Sequence, residues 1–180
     1  QSTRCKTFLP AEVNQSYTWA DPELNVLLER ATLKLGELNS FSQFVPDIAM
    51  FIRMHVVKEA TESSRIEGTQ TSIEEVLIRP NEISSKRRDD WQEVTNYIEA
   101  LNVAIERLDT LPLASRLLRE MHRILMQGVR GEHKQPGEFR TSQNWIGGAS
   151  LADAVFIPPH HSEVDRLMGD LEYFLHNDAV

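Results

Sequence analysis

The sequence predicts a mainly α-helical fold. Apolar residues recur at helical spacing in five stretches of the chain. Several of these stretches open with helix-start chemistry, notably Asp21-Pro22, Pro46-Asp47 and Ser72 with Glu75 three residues on. Only residues 128–161 depart from the pattern, being rich in Gly and Pro and lacking a helical period.

Asp21 offers an N-cap acceptor and Pro22 a pre-set first turn, after which Leu24, Leu27, Leu28, Ala31 and Leu35 share one stripe. Pro46-Asp47 opens a second helix through Ile48, Phe51, Ile52 and His55 to Ile66, and Gly68 is a natural stop. Ser72 and Glu75 form a capping box at the head of a short helix. A long helix carries Trp91, Val94, Ile98, Leu101, Ile105 and Leu108 on one stripe. Another runs from about Leu113 to Met126 with Leu117, Leu118, Met121, Ile124 and Leu125 turned inward. Gln143-Asn144-Trp145-Ile146 and Val155-Phe156-Ile157 then read as two short strands around the loop 147–153, a β-hairpin ended by Pro158-Pro159. A last helix follows Ser162, with Val164, Leu167, Met168, Leu171, Phe174 and Leu175 on its apolar face.

At 180 residues, 41% hydrophobic and 26% charged, the chain can bury a proper core without staples. The single cysteine, Cys5, excludes a disulfide framework and suits a reducing, cytoplasmic setting. No apolar run reaches the length of a membrane span and no leader opens the chain; Gln1 is not an initiator Met, so the true start is expected upstream. The net charge of −8, from 27 acidic and 19 basic residues, argues against nucleic acid or an anionic membrane as partner. The one basic cluster, Lys86-Arg87-Arg88, is followed by Asp89-Asp90 and reads as a solvated helix surface.

The chemistry-bearing residues do not assemble a self-sufficient active site. The six histidines include no His-x-x-x-His pair, and His160-His161 follow two prolines as surface residues would, so no metal site is expected. His122, among Leu and Met, reads as a hydrogen-bonded histidine at the edge of the core. Neither a Gly-x-Ser-x-Gly elbow nor a Gly-rich phosphate loop occurs.

Two places stand out. Ser63 and Glu67 are four apart on one helix face, so the hydroxyl can orient the carboxylate, and Gly68 fits just past the helix end. Glu67 then sits at the negative end of the helix dipole, unfavourable by roughly 0.3–1 kcal/mol. Lys58 is too far away to compensate and Arg65 points elsewhere. Either Glu67 is a solvated surface glutamate, or a cation from a distant segment completes it. The hairpin is the second place: Trp145, Ile146, Phe156 and Ile157 line its rim. They either pack it on the helices or flank an edge that pairs with an extended peptide.

Three segments resemble the Fic family of nucleotidyltransferases. Ser63-Ser64-Arg65-Ile66-Glu67-Gly68 is similar to its inhibitory motif, Ser/Thr-x-x-x-Glu-Gly/Asn. Pro136-Gly137-Glu138-Phe139-Arg140, continuing to Gln143-Asn144-Trp145-Ile146-Gly147, resembles the approach to its flap. Phe156-Ile157-Pro158-Pro159, followed by Leu167-Met168-x-Asp170-Leu171-Glu172, resembles the return strand and next helix. The similarity runs from about Asp21 onward. The family signature His-x-Phe-x-x-Gly-Asn-Gly-Arg-x-x-Arg does not occur in these residues, and the resemblance implies a catalytic loop past Val180.

The resemblance implies a Fic-like helical bundle with a β-hairpin flap. Residues 1–70 would form an N-terminal helical region with the inhibitory helix, and residues 71–180 the first part of the Fic domain, its flap at about 138–160. It implies a self-inhibited protein adenylyltransferase that moves AMP from ATP, with Mg²⁺, to a Ser, Thr or Tyr hydroxyl of a target protein or of itself. Glu67 would hold the last arginine of the signature away from the γ-phosphate, with Ser63 and Gly68 completing the motif. Trp145, Ile146, Phe156 and Ile157 would position the target, while self-association stays open. The segment alone is expected to be inactive. The other reading is a non-catalytic helical module whose hairpin docks peptides.

Overall fold

The computed structural model describes residues 6–178, so Cys5 and Val180 lie outside the described residues. Six α-helices are present among these: α1 (Pro22–Ser42), α2 (Ile48–Ile66), α3 (Ile73–Val76), α4 (Arg88–Arg107), α5 (Ser115–Leu125) and α6 (Val164–Leu175). Short 3-10 turns occupy Pro80–Glu82 and His161–Glu163. No helix is long and apolar enough to cross a membrane among the described residues.

The helix starts are made by the residues that predicted them. Asp21 accepts from Glu23 N at 3.0 Å and Asp47 from Met50 N at 2.8 Å. Both halves of the Ser72–Glu75 capping box are formed. At α5 the cap is supplied from another helix: Ala114 offers no side-chain acceptor, and Glu172 of α6 accepts from Ser115 N at 2.9 Å. The N–H of Ser115, followed by its hydroxyl, holds the Glu172 carboxyl below its ordinary pKa.

The core is built around α4, packed between α2 and α5, with α6 against α5. Val56, Ala60 and Ser64, each four apart, bury one face of α2. Trp91, Val94, Ala100 and Ala104 bury α4, and Leu117 is enclosed on α5. Two expectations need correction. Ile105, Leu108 and Leu118 are exposed, Leu118 on the rim of a cavity between α4 and α5 that it lines with Tyr97, Ala100 and Leu101. On α1 and the first half of α2 the apolar stripe is also uncovered, since α1 buries no residue and Ile48, Phe51 and Ile52 are more than two-fifths exposed.

The hairpin is reduced to a single antiparallel bridge, Ile146 with Phe156. The N–H groups of Val155 and Phe156 both donate to the Ile146 carbonyl, at 3.0 and 3.1 Å. Two residues opposing one make a β-bulge, which interrupts a ladder. Beyond the bulge the prolines have no N–H to return. Side chains take over there: Gln143 Nε2 donates to Pro158 O at 3.1 Å, and the Arg140 guanidinium donates to Pro159 O. The loop tip closes on Asp153, which accepts from Ala149 N and Ser150 N at 2.8 and 2.7 Å. Gly148 is required there, because a Cβ would stand 2.4 Å from Asp153 O and φ is +75°.

Candidate functional site

The end of α2 is tied off in full. Thr69 N donates to Ser64 O and Gly68 N to Arg65 O, both at 3.1 Å, the paired bonds of a Schellman motif. Gly68 makes this affordable with φ +103°. Glu67 is thereby fixed as the C-cap residue, with its exposed carboxylate at the negative pole of the helix, as the spacing predicts. That carboxylate has no hydrogen-bond or ion-pair partner among the described residues. Arg65 turns back to Glu62. Ser63 is not turned to Glu67 either: its hydroxyl donates to Glu59 at 2.6 Å.

Glu67 borders a cavity of about 460 Å³. Ser63, Ser64 and Thr69 line it from the α2 end, Glu93 and Tyr97 from α4, and Leu125, Met126, Val129 and Arg130 from the end of α5 and the turn beyond. Arg130 reaches Glu93 at 3.4 Å across its rim. Thr69 is 5% exposed, and its hydroxyl has no partner in the structure. The opposite wall is fixed by Asn96, whose Nδ2 donates to Leu125 O at 3.1 Å and Gln127 O at 2.7 Å, holding the turn that carries Arg130.

The segment after Gly68 is braced by the start of α4. Gln70 N donates to Asp90 at 2.9 Å, Trp91 Nε1 to Glu75 O at 3.0 Å, and Arg87 pairs with Glu75 at 2.5 Å while also reaching Gln70 O. Arg87 is thus a structural cation, which corrects its reading as part of a solvated cluster. In the approach to the flap, Gly137 N donates to His122 Nδ1 at 2.9 Å, and Arg119 Nε donates to Gly137 O at 2.6 Å. His122 is hydrogen-bonded as expected, on the exposed side of α5.

At the Ile146–Phe156 bridge, where a flap was expected, Trp145, Ile146 and Phe156 are 40%, 64% and 39% exposed, and Ile157 is half-buried. The flap residues and Glu67 do not share a cavity. Sequence reasoning missed Thr69, Glu93, Tyr97 and Arg130, because three separate segments bring them to Glu67. No group of three or more His, Cys, Asp or Glu residues that could hold a metal ion occurs among the described residues.

The site is thus a helical core that presents, beside a cavity, a carboxylate with no hydrogen-bond or ion-pair partner among the described residues. The model of the Fic/DOC family N-terminal region matches residues 25–106, from α1 through α4 and including the Glu67 motif. No curated protein matches the chain.

Proposed function

We propose that the chain is the regulatory and target-positioning part of a cytoplasmic, self-inhibited protein adenylyltransferase. Residues 1–70 carry the inhibitory helix, and residues 71–180 begin the catalytic domain with its flap at about 138–160. One observation carries this reading: a carboxylate fixed at the end of α2, at a cavity rim, without a cation of its own. In such an enzyme a target hydroxyl oxygen attacks the α-phosphorus of ATP, pyrophosphate leaves, and a base takes the hydroxyl proton. Glu67 acts before that chemistry by holding an arginine that would otherwise bind the γ-phosphate, so ATP lies unproductively.

The residues present suit the first part of this task and not the second. A cavity of about 460 Å³ is within the range of small-molecule sites. Its charged lining, though, is Glu67 and Glu93 against Arg130, which does not make a phosphate site. No three-ligand cluster for Mg²⁺ is available among the described residues either.

The test is Glu67→Gly in the protein carrying the histidine signature, with AMP transfer followed by labelled ATP. Transfer to itself or to targets should rise, and unchanged transfer would overturn the inhibitory assignment. Residues 1–180 alone should transfer no AMP. A second reading, a helical module that docks peptides without catalysis, is favoured by the extended segment that already pairs with the flap, the Phe8 N–H donating to Ile157 O at 2.8 Å. Calorimetry with ATP and Mg²⁺ on the signature-carrying protein separates the two, since micromolar binding excludes the second.

A further inference from the structure

Phe156 exchanges both of its backbone bonds with Ile146. Its neighbour Ile157 therefore points its carbonyl the other way, toward the free edge of the flap. That carbonyl accepts the N–H of Phe8 at 2.8 Å, and the Phe8 ring lies 5.7 Å from that of Phe156. Four residues on, Glu12 pairs with Arg166 of α6. Val13 N donates to the Asp170 carboxylate at 2.6 Å, and Asn14 N does so at 3.3 Å. Asn177 Nδ2 donates to Asn14 Oδ1 at 2.8 Å.

We propose that residues 6–17 are a tethered occupant of the flap edge, and that this edge accepts an extended peptide with an aromatic residue followed four positions later by an acidic one. The contacts have the form of strand addition: one main-chain bond for affinity, with side chains read at fixed offsets. The hold is exchangeable. Phe8 is 54% exposed, the Glu12–Arg166 pair is a surface pair, and residues 6–12 form no helix or strand of their own. An incoming peptide must displace this arm, so the arm sets the threshold for docking.

The proposal rests on the flap part of the reading above and not on AMP transfer. A failed Glu67→Gly test leaves it standing, and its own failure leaves Glu67 untouched.

The experiment is fluorescence-anisotropy titration of a labelled, end-blocked peptide of residues 6–17 against the full chain. Wild type is compared with the arm variant Phe8→Ala/Glu12→Arg. If the arm masks the edge about nine-tenths of the time, the variant binds the peptide about tenfold more tightly than wild type. Adding Arg166→Glu to the variant should remove that gain, and a peptide carrying Glu12→Arg should restore it. Equal affinity for wild type and variant, no binding to the variant, or failure of the charge swap would each overturn the proposal. Glu12→Arg alone, at an exposed position, serves if the double variant does not fold.

Discussion

Replacing Asn96 by Leu tests how the wall opposite Glu67 is held. Asn96 is 3% exposed in the middle of α4, and all of its side-chain polar atoms are used. Its amide nitrogen donates to Leu125 O and Gln127 O, and its oxygen accepts from Gln92 Nε2 at 2.8 Å. The two carbonyls belong to the last turn of α5 and the residue pair after it, where a helix leaves acceptors without internal partners. Leu has a similar size, so little cavity forms and the change isolates the hydrogen bonds. A buried acceptor left alone costs about 1–3 kcal/mol. Gln127 is exposed enough for water to reach its carbonyl, so the sum is placed at about 2–3 kcal/mol, in keeping with that range. For a chain of this size that is a fall in Tm of about 4–12 °C. Asn96→Asp should be worse than Leu, because it sets a carboxylate against two carbonyl oxygens. Urea unfolding followed by the fluorescence of Trp91, buried on the same helix, measures both. An Asn96→Leu protein within about 0.5 kcal/mol of wild type, the scatter of an inert surface change, would refute the reasoning, as would an Asp variant more stable than Leu.

Two further outcomes are expected. Gly68→Ala should cost about 1–2 kcal/mol in urea unfolding through backbone strain alone, because no atom lies within 4 Å of the added Cβ while φ is +103°; Gly68→Asn should recover part of the loss. Glu172→Gln should lose about 1 kcal/mol near neutral pH, the worth of a helix cap. The Glu172 carboxyl is depressed by the Ser115 N–H and then by the Ser115 hydroxyl. Its contribution is therefore present above the ordinary glutamate value of 4.5 and is lost as the pH falls through the folded value. The wild-type and Gln unfolding curves should converge on acidification.

The helix starts were legible because capping is local: Asp21, Asp47 and the Ser72–Glu75 box each satisfy donors within three residues. The Schellman end at Gly68 was legible for the same reason. What failed was non-local. Helical spacing marks an apolar stripe on α1 and α2 without saying what covers it, and Leu24, Leu35 and Phe51 remain exposed. Alternation marked two strands at the flap, but ladder length depends on what the partner can return. A bulge at Val155-Phe156 and two prolines left one bridge. The Ser63–Glu67 spacing was right for contact, yet Glu59 lies at the same offset on the other side of Ser63 and takes its hydroxyl.

That competition bears on what Glu67 is for. The carboxylates around it are engaged: Glu59 with Ser63, Glu62 with Arg65, Glu75 with Arg87 and Glu93 with Arg130. The same pairings occupy the guanidinium groups of Arg65, Arg87 and Arg130. The loosest is Arg130, at 3.4 Å from Glu93 with its side chain 80% exposed, and it stands on the rim of the cavity that Glu67 borders. A glutamate at a helix C-terminus gains nothing from the helix dipole and loses a few tenths of a kcal/mol or more to it. A Schellman motif that fixes the backbone under such a residue gives that carboxylate a defined position. The inhibitory role proposed for Glu67 would draw on this placement, because a ready-made site costs an incoming cation less ordering than a mobile one would.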